Sequence, residues 1–170
     1  LQERLEELEE LGDEYKEYDR KRRAVDLAMV RINELSGGVE KRMREEMNRR
    51  MSQIVCEITG GKYTKITMDA NEEIGLMTEE RSVNLDQVSR GTIEQVYFAL
   101  RMAADDMLRA EECPVVLDDT FVYYDEERLE RALEWLYRNK KQVLIFTCQK
   151  REGQLLEQMK IPYQRIGIEK

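Results

Sequence analysis

Val88-Ser89-Arg90-Gly91-Thr92 runs directly into Ile93-Glu94-Gln95-Val96-Tyr97. The first five residues read as a short polar loop, and the rest as the opening of an amphipathic helix. Apolar residues recur at Ile93, Val96, Tyr97, Leu100, Ala103, Ala104 and Met107, the three-to-four spacing of a buried helical face. Thr92 with Gln95 fits a capping box, which starts the helix near Thr92. A serine–glycine loop at a helix N-terminus is a physical anion site. Its backbone N–H groups are free, the helix dipole favours negative charge, and glycine admits close approach of a phosphate. Taken alone, the loop is better explained as an ordinary cap before a core helix, because local capping motifs are common.

The 170 residues suffice for one domain with a real core. Beginning at leucine, the chain is expected to be a piece of a longer protein. Charged residues make up 38% and the net charge is −8, which disfavours a general nucleic-acid face on this piece. No apolar run is long enough to span a membrane. Cys56, Cys113 and Cys148 are far apart and odd in number, which suits a reducing cytoplasm without a disulfide framework. Histidine is absent, removing Ser-His-Asp and Cys-His catalysis and the usual zinc sites.

Residues 1–57 read as a long helix or coiled-coil strand. Leu1, Leu5, Leu8, Leu11 and Tyr15, then Val25, Met29, Ile32 and Leu35, keep a three-to-four repeat. Ser36-Gly37-Gly38 is expected to interrupt it. A stripe of Val39, Met43, Met47, Met51, Ile54, Val55 and Ile58 resumes, its methionines read as core packing. Thr59-Gly60-Gly61 supplies the C-cap. Residues 63–68, 73–78 and 82–85 read as antiparallel strands, with a turn at 69–72. Val115-Val116-Leu117 is a short buried strand ending in Asp118-Asp119. Asp125 caps a helix bearing Leu129, Ala132, Leu133 and Leu136. Residues 142–147 form a second buried strand ending at Cys148-Gln149. A helix over 153–159 and a last strand over 163–168 close the chain. Strand–helix alternation predicts an α/β fold with a parallel sheet and ligands at the strands' carboxyl ends, where Asp118, Asp119 and Gln149 lie.

An apolar strand followed by two carboxylates is how a Mg²⁺–nucleotide site holds its metal. A hard cation wants oxygen ligands, and a second carboxylate can orient or deprotonate the attacking water. Two aspartates capping the next turn is the plainer alternative.

Taken in order, LDQVSRGTIEQVYFALRMA, CPVVLDDTFVYYDEERLERAL and QVLIFTCQKRE resemble the C-terminal lobe of an ABC-type ATPase head of the SMC, SbcC and YhaN-like group, best over residues 85–152. The resemblance implies a P-loop NTPase half-domain over residues 58–170, preceded by a coiled-coil helix returning to the head. It makes residues 88–92 the signature loop, with Ser89, Arg90, Gly91 and Thr92 as nucleotide contacts. Residues 114–119 become the Walker B strand, with Asp118 associated with Mg²⁺ and Asp119 in the place of the usual catalytic glutamate. Residues 122–125 become the D-loop with Asp125, and residues 142–149 the switch strand, where Gln149 replaces the usual histidine. Both departures imply slow hydrolysis. Leu35-Ser36-Gly37-Gly38 spells the signature more literally but lacks the apolar helix behind it, and reads as the helix interruption.

No G-x-x-x-x-G-K-[ST] occurs, so the phosphate cradle lies outside these residues. The resemblance therefore implies a cytoplasmic ATPase completed by an N-terminal Walker A lobe of the same protein and by a second head in a homodimer. In that arrangement Ser89 and Gly91 face the nucleotide of the partner head, and the loop is exposed when the lobe stands alone. ATP and Mg²⁺ follow as cofactors, with DNA and often a nuclease subunit as partners, and DNA repair or processing as the setting. Another class is a degenerate, slowly or non-hydrolysing structural or regulatory coiled-coil protein, motivated by Asp119 and Gln149.

Overall fold

A computed structural model describes residues 2–69, 73–108 and 113–167, with side chains from Glu14 onward. The chain divides into two units, Leu1–Met43 and Arg44–Lys170.

One continuous helix, α1, covers Gln2–Ile58. It does not break at Ser36-Gly37-Gly38, contrary to the sequence expectation. Each interior glycine costs about 1 kcal/mol against alanine, too little to stop a helix already propagating on both sides. Both glycines face open space. Ion pairs one turn apart, such as Arg23 with Asp19 at 2.7 Å and Arg31 with Glu34 at 2.8 Å, support the exposed helix. Within the first unit Tyr15, Val25, Met29, Ile32 and Leu35 are exposed, and the methionine stripe enters the core only from Met47 onward, with Met43 outside it. The side chains of Leu1, Leu5, Leu8 and Leu11 lie outside the described residues.

In the second unit the last turns of α1 bury Met51, Ile54, Val55 and Ile58. The helix ends where the Gly61 N–H donates to Cys56 O, and Gly60 and Gly61 take positive φ, as a C-cap requires. Strands β1 (Lys65–Met68), β2 (Ile74–Met77) and β3 (Ser82–Asn84) form an antiparallel meander with Ile66 opposite Leu76 and Leu76 opposite Val83. These three buried side chains give the sheet its inner face. The free edge of β1 is covered by α1. Asn48 donates to Met68 O and accepts from Met68 N, and Ser52 Oγ accepts from Ile66 N at 2.9 Å. The turn expected at 69–72 lies largely outside the described residues.

Helix α2 (Arg90–Leu108) buries Val96, Phe98, Ala99, Met102 and Ala103. Strand β4 (Val115–Asp118) then pairs in parallel with β5 (Val143–Phe146), joined through α3 (Glu126–Asn139). Lys140 Nζ, at the end of α3, bridges Asp105 and Asp106 of α2 at 3.0 and 2.6 Å. Phe98 meets Trp135 edge-on at 5.8 Å and Phe121 at 6.3 Å, and Phe121 meets Tyr124 at 5.4 Å. This aromatic cluster packs α2, α3 and the turn after β4 into one core, each pair adding about 0.5–1.5 kcal/mol beyond area burial. Helix α4 (Arg151–Gln158) starts two residues before its expected position. The strand expected over 163–168 is not formed among the described residues. A strand persists only by pairing, and the segment after Pro162 pairs with neither β4 nor β5 and leaves Ile166 exposed. The fold is α/β, with a long helix, a small antiparallel sheet and a parallel pair. Among the described residues no helix is long and apolar enough to cross a membrane.

Candidate nucleotide-associated site

Ser89 and Arg90 are exposed, whereas Gly91 and Thr92 are buried, so half of the loop expected to be exposed is covered. Helix α2 begins at Arg90, and Ser89 is its cap. Ser89 Oγ accepts from Thr92 N at 3.3 Å and lies 3.0 Å from Thr92 Oγ1. The expected Thr92–Gln95 capping box is not formed. Gln95 is buried and donates instead to Ile58 O at 2.9 Å. A buried carbonyl at the end of α1 satisfies the amide better than a cap its own helix no longer needs.

Asp118 and Asp119 stand exposed at the carboxyl end of β4, and Asp118 is registered against Phe146 of β5. The Asp119 N–H donates to Phe146 O at 3.0 Å, extending the ladder by one bond. Asp119 takes φ 44°, the left-handed region that aspartate tolerates better than most residues. The chain turns there and returns Phe121 and Tyr124 to the core. Gln149 lies three residues beyond Phe146, half-buried, its N–H donating to Thr147 Oγ1 at 3.0 Å. Asp118, Asp119 and Gln149 therefore share the carboxyl edge of one parallel pair, where α/β folds collect ligands.

Asp125 is the N-cap of α3 and accepts from Arg128 N at 2.9 Å. Residues 122–125 and 88–92 lie against each other. The Arg90 guanidinium sits 4.0 Å over the Tyr123 ring, and Arg128 Nη2 lies 3.5 Å from Ser89 Oγ. A Cβ on Gly91 would fall 2.7 Å from Tyr123 O and 2.0 Å from Arg128 Nη1. Glycine is required there by the packing of its own chain.

Sequence reasoning missed Arg151. Its Nη1 donates to Tyr124 O at 2.6 Å and its Nη2 to Phe121 O, so α4 ties down the turn after β4. An arginine just past the second buried strand was the available signal, but its partners are backbone carbonyls that no pattern displays. Buried Glu152 beside it lies 3.6 Å from Arg151 Nε. Burial, with the nearby Glu94 charge, pushes the Tyr124 phenol well above its ordinary value, against the opposing Arg128 and Arg101 charges.

The described residues contain no group of three or more acidic, cysteine or histidine side chains able to hold a metal. Asp118 and Asp119 offer carboxylates at one strand end. That donor set fits Mg²⁺, which binds through one or two carboxylates with phosphate and water completing its shell, and does not fit a cation needing a full protein cage.

No family model matches the chain. It is 37% identical over 97 residues to YhaN of Bacillus subtilis, itself an uncharacterized protein, covering 54% of this chain and 10% of YhaN. The chain thus spans about a tenth of that relative. The Smc head domain with a coiled coil and joint from Pyrococcus yayanosii superposes with a TM-score of 0.68 at 13% identity, over 86% of this chain and 30% of that one. An SMC ATPase studied for ATP-driven dimerization and DNA-stimulated activation superposes with a TM-score of 0.58 at 13% identity, over 69% of this chain and 76% of that one. The chain has the fold of an SMC/YhaN-like ABC-type ATPase head lobe.

Proposed function

We propose that this lobe is the C-terminal half of an SMC/SbcC-like ATPase head that binds and hydrolyses ATP between two dimerised heads, in DNA repair or DNA processing. One observation carries the reading. The face of the β4–β5 pair that bears Asp118 also bears Val116, Leu144 and Phe146, all exposed. Parallel strands are ordinarily covered on both faces. A bare apolar face beside a strand-end carboxylate suits a sheet completed by a second lobe that brings the phosphate-binding loop. The ATP-driven dimerization of the SMC ATPase that shares this fold supports the two-head arrangement.

In this reading Asp118 holds Mg²⁺, which offsets phosphate charge when bound. Asp119 accepts the proton of the attacking water, and Gln149 orients that water by hydrogen bonding. Ser89, Arg90, Gly91 and Thr92 meet the nucleotide of the partner head, with Asp125 alongside. Residues 1–57 are the returning strand of a coiled coil, and DNA with a nuclease subunit completes the assembly.

The test is ATP turnover by the complete head. Asp118→Asn should abolish it, and Gln149→His should raise it at saturating ATP; no change with either refutes the assignment. The chain alone should bind Mg-ATP weakly, and tight binding would contradict a divided site. A second reading is a non-hydrolysing structural protein with the same lobe, favoured by the short Asp119 side chain and by Gln149. Dimerisation on ATP without turnover would select it.

A further inference from the structure

Arg128 is the residue through which the two loops meet. Its Nε lies 3.4 Å from Asp125 Oδ2, its backbone N–H is capped by the same carboxylate, and its Nη2 lies 3.5 Å from Ser89 Oγ. The same guanidinium lies over Gly91. The core does not need it for packing, since Phe98, Phe121 and Trp135 already join α2 to α3 and to the turn between. Ser89 Oγ is set from its own helix by Thr92 and from across the gap by Arg128. The cross-loop contact is at the long limit for a hydrogen bond. It contributes direction and charge beside the hydroxyl more than stability to the lobe.

We propose that Arg128 is a positioning residue that fixes the Ser89 hydroxyl relative to Asp125, so that residues 88–92 and 122–125 engage a second head as one preorganised surface. This rests on the head–head reading above. An interface formed from two independently moving loops must order both on binding, and a clamp set beforehand removes that cost. Only a planar guanidinium reaches both partners at once; lysine carries the charge on a single point donor.

The experiment uses the complete head with Arg128→Ala, Arg128→Lys, Ser89→Ala and the Arg128→Ala/Ser89→Ala double variant. Two quantities are read: the ATP concentration for half-maximal head dimerisation, and amide hydrogen exchange at Thr92 without nucleotide. Arg128→Ala should raise the half-maximal concentration roughly tenfold, the scale of one lost charge-assisted contact, with the thermal midpoint unchanged. Lysine should restore less than half of the loss. The double variant should be no worse than Ser89→Ala, because the arginine acts through the serine. Fully additive losses overturn the proposal. If Ser89→Ala leaves ATP-dependent dimerisation intact, the head–head reading of Ser89 fails, and the exchange measurement decides the clamp by itself. Faster exchange at Thr92 in Arg128→Ala upholds the clamp, and unchanged exchange overturns it.

Discussion

The side-chain amide of Gln95, on the second turn of α2, donates to the carbonyl oxygen of Ile58, on the last turn of α1, at 2.9 Å, with both residues buried. The bond satisfies a carbonyl that a helix end leaves without an intrahelical partner. Gln95→Met keeps the volume and removes the donor. It should cost about 1–3 kcal/mol, the penalty for a buried acceptor left unsatisfied. Urea denaturation of the chain measures it, and an unchanged midpoint would mean that water replaces the amide.

The continuity of α1 gives a prediction of opposite sign. Gly37 and Gly38 sit inside the helix with nothing within 4 Å of a built Cβ. Gly37→Ala and Gly38→Ala should each stabilise the helix by roughly 0.5–1 kcal/mol through propensity and a less flexible unfolded chain. Circular dichroism during thermal unfolding reads the change. A loss of helicity in either variant would show that the backbone needs glycine there.

Those glycines also show where sequence reading stops. Leu35-Ser36-Gly37-Gly38 and Ser89-Arg90-Gly91-Thr92 both present a serine–glycine loop signal, and only the apolar periodicity behind Thr92 marks the second as a helix start. The elements were legible because their signals are local: alternation in β1–β3, short apolar runs in β4 and β5, and the Asp125 cap. The expected break at 36–38 failed because glycine's local cost is small against a cooperative helix. The expected last strand failed because pairing is a tertiary event that Tyr163 and Ile166 do not announce. The placement of Asp118, Asp119 and Gln149 at one carboxyl edge was legible from the order of the elements. Arg128 and Arg151 were not, since their partners are a serine that caps another helix and two backbone carbonyls.

Gly91 separates a packing requirement from a ligand requirement. An added Cβ would meet the Tyr123 carbonyl at 2.7 Å and the Arg128 guanidinium at 2.0 Å. Gly91→Ala should destabilise the lobe by about 1–3 kcal/mol, the usual cost of overpacking. Adding Arg128→Ala should not restore stability, because the backbone carbonyl cannot withdraw as a side chain can. Full rescue in the double variant, measured by denaturation, would assign the constraint to Arg128 alone.

Glu46 accepts from Arg49 at 2.8 and 2.7 Å and from Arg50 at 2.6 Å. Hydrogen bonds from Arg49, then Arg50, hold its carboxyl at about 2, against an ordinary 4.5. A folded-state value below the unfolded one means that the contribution is complete above the unfolded value and is lost as pH falls toward the folded one. The group is on the surface, so salt screens it. The stability gap between the native chain and Glu46→Gln should therefore be present at neutral pH and close between 4.5 and about 2. It should also shrink in high salt. A gap that does not change with pH would remove this ion cluster from the account.

Tyr124 carries the opposite kind of polar group. Its ring packs on Phe121 with 2% of the residue exposed, and its hydroxyl has no hydrogen-bond partner among the described residues. Desolvating a hydroxyl without a partner costs about 1–3 kcal/mol on mutational scales. Tyr124→Phe removes that cost while leaving the ring and the carbonyl that Arg151 binds. The variant should be as stable as the native chain or up to about 2 kcal/mol more so, read from urea denaturation of the chain. A loss of stability would mean that the hydroxyl meets a polar group outside the described residues.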